Sequence, residues 1–343
     1  MKYLLGSKKE FYDFVNSISK EDKVGIITHT DLDGIASGIF LQKILESRNI
    51  KIEFIEFLDY GSDVLKNVLK KDYTKLFFTD WNADNFVEDF EKLKQKGNVL
   101  VFDHHPLNEN LKDKKGIMKT ESKYCSAHAL FDLAENYFNT KDFEWLVCCA
   151  IIADYTWDVE ENFEFIKSIY PKTKKQDIWN SEPGKIGSKI TNALIYYKKN
   201  LKRVYDLVLK KDFGELEKVE KIINGEVEKW IEKFEKEAEY YFEKNLYFYY
   251  GNPKYKITSK VASMISTKNP DKTIIFVSDV SDKNDFVKLS ARNQSGNVVL
   301  GNVLKNCIKG FEDADASGHD KAAAGGFPKK YLNEFKKRLL KEL

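Results

Sequence analysis

Short apolar runs rich in valine, isoleucine and phenylalanine punctuate the first 105 residues: VGIIT at 24–28, IEFIEF at 52–57, KLFFT at 75–79 and NVLVF at 98–102. Each is short and rich in β-formers and so predicts a strand, and NVLVF, with no charge in it, reads as a buried one. The intervening GIASGIFLQKILESR and NFVEDFEKLKQKG carry their apolar residues at helical spacing. Strand and helix alternate, which predicts a parallel sheet flanked by helices. YCSAHALFDLAENYF and DFEWLVCCAIIADYTWD then read as helices with apolar stripes, the second delivering Asp154 at its end. A polar stretch with proline and glycine, YPKTKKQDIWNSEPGK, marks the expected exit from this first domain.

Between 201 and 245 the chain is heavily charged, with Leu216, Val219, Ile222, Ile223, Val227, Trp230, Ile231 and Phe234 recurring at helical spacing. That pattern predicts a long helix that connects or packs domains. Strand-like runs return in NLYFYYG, KTIIFVSDV and DFVKLSARN, followed by a helix, NVVLGNVLKNCI, and a glycine-rich end, SGHDKAAAGGF. The expected fold class is α/β, with two α/β domains. A parallel-sheet domain over 1–185 precedes a helical linker over 186–245 and a smaller domain with a mixed sheet over 246–343. The active site is expected in the cleft between the domains. A chain of 343 residues is too long for one ordinary core, which agrees with two domains.

Composition narrows the function classes. Lys+Arg 56 against Asp+Glu 54 leaves a formal net charge of +2, so any site for a polyanion must be local. Cys125, Cys148, Cys149 and Cys307 have neither the spacing of a disulfide framework nor that of a zinc site, and read as reduced core residues. No apolar stretch approaches the ~20 residues that span a bilayer, and the N-terminus lacks the core of a signal peptide. A soluble, cytoplasmic protein with no membrane partner is expected.

Three of the four early strands end in acids or histidines: HTDLDG after the first, DWNAD after the third and DHH after the fourth. Ligands of open parallel sheets gather at the carboxyl ends of strands, so His29, Asp31, Asp33, Asp80, His104 and His105 can converge on one spot, with Asp154 from the later helix. Mixed carboxylate and imidazole donors suit Mg²⁺ or Mn²⁺, with imidazole favouring Mn²⁺ or Zn²⁺. The inventory is large enough for two ions, and paired ions suit in-line phosphoryl displacement. Each residue alone admits a plainer role. Asp31 and Asp33 can cap the following helix with Gly34 in the turn, His104 and His105 can be a satisfied pair, Asp80 can cap or salt-bridge, and Asp154 can begin a loop. In the C-terminal part, Gly318, His319, Gly325 and Gly326 can form a backbone surface for phosphate or a merely structural turn. Arg292 can grip phosphate with its planar fork or make a surface ion pair.

With these residues assembled, the chain resembles the DHH phosphoesterase family, in particular its RecJ-like and oligoribonuclease-type members with a DHH-associated C-terminal domain. THTDLDGIASG is similar to the first family motif, FTDWN to the second, FDHHP to the third, IIADYTWD to the fourth and ASGHDKAAAGGF to the C-terminal one. The resemblance implies a DHH catalytic, metal-binding domain over 1–185 and a substrate-binding domain over 246–343. It implies that Asp31 helps hold one ion, completed by His29. Asp33 holds the other with His104 and Asp154, and Asp80 bridges both. His29 stands two residues before Asp31, where many members place the histidine four before. Asp103 is expected to orient the histidines, and Asp80, His104 and His105 to form the catalytic centre. Substrate contacts are expected from His105, Arg292, Gly318, His319, Gly325 and Gly326.

The implied cofactors are two divalent metal ions, Mn²⁺ foremost and Mg²⁺ as the substitute. The implied activity is hydrolysis of single-stranded DNA or RNA, or of short oligonucleotides, to nucleoside 5′-monophosphates. Cyclic dinucleotide (cyclic di-AMP) hydrolysis is the alternative, and a scaffold in replication complexes is a third reading. Expected partners are thus a single-stranded nucleic acid, a short oligonucleotide or a cyclic dinucleotide. A homodimer and replication or repair proteins are compatible with the family.

Overall fold

The computed structural model describes residues 1–59, 64–108, 115–280, 285–318 and 320–343. The chain divides into two compact units, Met1–Glu220 and Lys221–Leu343.

Six strands form the sheet of the first unit: β1 (Tyr3–Leu5), β2 (Val24–His29), β3 (Ile52–Leu58), β4 (Lys75–Thr79), β5 (Asn98–Asp103) and β6 (Ile117–Thr120), in the spatial order β1-β6-β5-β4-β2-β3. All neighbours pair in parallel except β1, which runs antiparallel to β6. Every residue of β4 and all of β2 but His29 are buried. That burial on both faces explains why β2 and β4 read as apolar runs, whereas β3 is only partly buried and is interrupted by Glu53 and Glu56; helices complete the unit. Those helices are α1 (Lys8–Asn16), α2 (Leu32–Ser47), α3 (Val64–Val68), α4 (Val87–Lys96), α5 (Ser126–Ala134), α6 (Glu144–Ala153), α7 (Glu160–Ile169), α8 (Glu182–Tyr196) and α9 (Leu201–Leu209). From β2 the chain steps to β3 on one side and then to β4 on the other. The strand order therefore switches direction between β2 and β4, and a crevice for ligands opens beyond their carboxyl ends.

The segment 186–245, expected as a linker, is helical but is shared between the units. Val204, Tyr205 and Val208 of α9 are buried in the first unit, where Tyr205 packs edge-on against Phe57 of β3. The single long helix expected from 201 is broken at Lys211, which adopts φ 56°, and α10 runs over Phe213–Glu237. Of its apolar stripe, Ile222 is 44% exposed and the other seven residues are buried.

The second unit carries a sheet ordered β11-β12-β10-β9-β8-β7, from β7 (Glu239–Tyr241), β8 (Leu246–Tyr250), β9 (Thr273–Asp279), β10 (Phe286–Arg292), β11 (Asp315–Gly318) and β12 (Ala322–Pro328). Only β8 and β9 are parallel, so the sheet is mixed. Around it lie α11 (Thr258–Lys268), α12 (Leu300–Ile308) and α13 (Leu332–Glu342), with a core that includes Val277, Leu289, Leu304, Phe327 and Phe335. The glycine-rich end contributes β11 and β12.

Candidate metal centre

Beyond β2 the chain turns tightly into α2. A Cβ on Gly34 would stand 2.3 Å from the His29 carbonyl oxygen, so only glycine lets the first turn of α2 come this close to the strand end. Asp31 caps that helix: its Oδ1 accepts the Gly34 amide at 2.9 Å, while its Oδ2 lies 3.0 Å from His29 Nδ1. The same carboxylate thus caps α2 and faces His29. Asp33, in the first turn of α2, is buried and accepts the Ser126 amide at Oδ2 and the Ala127 amide at Oδ1, each at 2.8 Å. These donors are the unpaired amides of the α5 N-terminus, a natural seat for an anion.

Asp80 is the first residue past β4. It sits in the left-handed region at φ 60°, with its amide donating to the Phe102 carbonyl at 2.8 Å. That conformation costs a non-glycine residue about 1 kcal/mol, and such strain concentrates at functional sites. It places Asp80 Oδ2 3.4 Å from His29 Nδ1 and Oδ1 3.4 Å from His104 Nε2, with the Ser126 hydroxyl donating to Oδ1 at 3.2 Å. His104 Nε2 also lies 3.8 Å from Asp33 Oδ2, and its Nδ1 lies 3.8 Å from Oδ2 of Asp154, the residue that ends α6. His29, Asp31 and Asp80 therefore form one compact donor set, and Asp33, His104 and Asp154 a second. A third grouping joins His105 to Asp80 and His104.

Behind His105 lies a buried polar chain. His105 Nδ1 donates to Asp103 Oδ1 at 2.7 Å, Asp103 Oδ2 pairs with Lys119 Nζ at 3.0 Å, and Lys119 also pairs with Asp84. Lys119, Asp84 and Ser126 were not legible as site residues. A lysine in the short strand β6 reads as surface until the fold buries it.

Charge in the cluster is shared unequally. Burial works against protonation of His29, but hydrogen bonds to Asp31 and Asp80 raise it to about 11. His104 is likewise raised to about 10 despite burial, chiefly by Asp80 and Asp33. Burial penalises the Asp80 carboxylate too, yet His104 and His29 hold it well below the usual range. Asp33 is pushed well up by burial and by the Asp80 and Asp154 carboxylates. Burial brings Asp154 to about 7 against the pull of His104. For Asp103, burial is outweighed by His105 and Lys119, and its carboxyl is lowered.

These residues fit divalent cations. His104 Nδ1 and Asp154 Oδ2 are buried atoms with no hydrogen-bond partner among the described residues, facing each other too far apart to bond directly. Leaving such atoms unpaired costs roughly 1–3 kcal/mol each. A cation between carboxylates and imidazoles would satisfy them and relieve the repulsion among Asp33, Asp80 and Asp154.

The family model for the DHH family, N-terminal domain, matches residues 23–157, and that for the DHHA1 domain matches residues 243–343. The chain belongs to the DHH phosphoesterase family. No curated protein matches it in sequence. Among solved structures, exonuclease RecJ bound to manganese superposes with a TM-score of 0.72 at 14% identity, covering 97% of this chain and 92% of that one. RecJ from Thermus thermophilus in complex with Mn²⁺ gives 0.72 at 14% identity, with 97% of this chain covering 53% of that longer one. CDC45 from Entamoeba histolytica gives 0.60 at 12% identity, with 98% of each chain covered. These similarities establish a RecJ-like two-domain fold for this DHH protein.

The DHHA1 unit treats its expected substrate residues differently. Arg292 donates from Nε to Ser263, from Nη2 to Ser259 and from Nη1 to the Ala291 and Ala323 carbonyls, so it ties α11 to β10 and β12. Gly325 and Gly326 were expected to offer backbone to phosphate. They lie instead inside β12, paired with Leu289 and Lys288 on one side and with Ala316 and Asp315 on the other. Being central, β12 pairs its backbone with both neighbours. Gly318 closes β11 opposite Ala323. His319 lies outside the described residues.

Proposed function

We propose that this DHH protein is a phosphodiesterase that hydrolyses single-stranded DNA or RNA, or short oligonucleotides, to nucleoside 5′-monophosphates with two divalent ions, Mn²⁺ foremost. One observation carries the reading: the two oxygens of the buried Asp80 address two different donor sets, 3.4 Å from His29 on one side and 3.4 Å from His104 on the other. A single structural ion needs no such bridge. In this reading His29 and Asp31 would hold the first ion, Asp33, His104 and Asp154 would hold the second, and Asp80 would serve both. Two bound ions would supply the acidity to deprotonate water near neutral pH and the positive charge to neutralise phosphoryl oxygens.

The chain's own residues do the rest. The left-handed turn at Asp80 fixes the bridge before any ion arrives, so little reorganisation accompanies binding. Asp103 accepts from His105 Nδ1 and so sets its tautomer and orientation. His105 then contributes a proton or a charged hydrogen bond to the reacting phosphate, beside Asp80 and His104.

Product analysis tests the reading. Oligomers of two to about twenty nucleotides, 5′- or 3′-labelled, DNA and RNA, are incubated with Mn²⁺, with Mg²⁺ or with a chelator, beside cyclic di-AMP. Mononucleotides from the linear substrates, lost on chelation and reduced at least about a hundredfold in Asp80→Ala, are the expected result. Cleavage confined to cyclic di-AMP and its linear dimer would replace the substrate assignment. Near-normal turnover by Asp80→Ala would remove the two-ion assignment.

A further inference from the structure

We infer that Tyr155 and Trp179 form a nucleobase-stacking subsite at the rim of the metal centre, an inference that rests on the reading of that centre as a nuclease site. Tyr155 directly follows Asp154, which faces His104 within the cluster. It adopts φ 60° and ψ 15°, a left-handed conformation that is an outlier for a bulky side chain. A surface turn of this shape ordinarily carries glycine or asparagine. Here it carries an aromatic ring that is 69% exposed.

The turn is held from several directions. The Tyr155 amide donates to the Ile152 carbonyl, the Thr156 hydroxyl to the Ile151 carbonyl, and the Asn162 amide to the carbonyls of Thr156 and Lys123. Strain that the surroundings fix so firmly is a mark of function. Trp179 projects from a separate fixed segment, the short helix Lys175–Asn180, and is 46% exposed. A Cβ on Gly184 would meet the Ile178 carbonyl oxygen at 2.3 Å, so the first turn of α8 seats directly on that segment. The two rings stand 5.2 Å apart, tilted by 60°.

Two large aromatics in mutual contact, exposed on fixed backbone segments with one of them next to a carboxylate of the metal cluster, cost solvation and backbone energy that their contact only partly offsets. The ligand they suit is planar and aromatic. A single-stranded nucleic acid presents a base next to each phosphate, and base–aromatic stacking tolerates any base because each has a π face. The subsite would therefore grip the nucleotide adjoining the scissile phosphate without reading its identity.

The full-length protein with Mn²⁺ is assayed on a 2-aminopurine-containing dinucleotide and on the same molecule with that base removed. Tyr155→Ala should lower the ratio of kcat/KM for the dinucleotide over the abasic analogue roughly tenfold, and Trp179→Ala should lower it less. Tyr155→Phe should preserve the ratio. A general folding defect lowers both substrates alike, so an unchanged ratio in Tyr155→Ala overturns the subsite. If wild-type protein cleaves neither substrate, the nuclease reading fails on its own. Quenching of 2-aminopurine on binding to the metal-free protein then decides the subsite separately. Quenching by wild type that is lost in Tyr155→Ala supports it, whereas no quenching, or equal quenching by both, overturns it.

Discussion

Asp80 shows how one residue is asked to be incompatible things at once. It is a buried carboxylate in a left-handed backbone, beside two other carboxylates, and it remains ionised because His29 and His104 carry protons for it. Those rings are raised from 6.5 to about 11 and about 10, so near neutral pH both are imidazolium in the metal-free protein. A cation must displace their protons before it can bind. Metal affinity is therefore expected to climb with pH through the neutral and alkaline range, with net proton release on binding. Titration calorimetry of Mn²⁺ into the protein, in buffers of different ionisation enthalpy, measures that release, and a heat independent of buffer would contradict it. The linkage to folding has the opposite sign. Histidines raised in the folded state stabilise the metal-free protein fully below about pH 6.5, and that contribution is lost as pH rises through about 10 and 11.

At the level of strands and helices, the centre is built where strands stop and helices start. β2, β4 and β5 deliver His29, Asp80 and His104, the α2 N-terminus positions Asp31 and Asp33, and the α5 N-terminus receives Asp33. β6 contributes from behind: Lys119 is buried between Asp103 and Asp84. Removing it leaves the buried Asp84 without its lysine and Asp103 with His105 alone. Lys119→Met is expected to cost ~3–5 kcal/mol in chemical denaturation. Adding Asp84→Asn should recover part of that loss, because it removes one of the stranded charges. Equal stability of Lys119→Met and wild type would mean that these ion pairs contribute nothing to folding. Strands β2, β4 and β5 were readable in the sequence as short apolar runs, whereas β6, which carries Lys119, was not. The network was not, because burial of a lysine depends on which strands become neighbours.

Across the protein as a whole, the carboxylates collected at one strand switch point make the metal-free state electrostatically costly. Ion binding should be felt as global stabilisation. With Mn²⁺ at about a hundred times its dissociation constant the gain is ~2.7 kcal/mol, which for a unit of this size is a rise in Tm on the order of 5–10 °C. Thermal scans with Mn²⁺, and again after chelation, check this, and a Tm unmoved by either would argue that the cluster holds no ion. Among the described residues no helix is long and apolar enough to cross a membrane.

The features legible in the chain alone are local: the apolar runs that become strands, the helical stripes, and the acids and histidines placed just beyond strand ends. Those depend on side-chain period and on residues a few positions apart, which the order of residues states directly. The spacing of the family motifs is legible in the same way. Packing was needed to make Asp31 both cap α2 and face His29, and to turn the two oxygens of Asp80 to different partners. The same holds for Gly325 and Gly326, which lie in a paired strand, for Arg292, which ties α11 to the sheet, and for the buried Lys119. Each of these depends on which strands pair and which helix ends meet, and contacts between distant residues are fixed by packing rather than by local pattern.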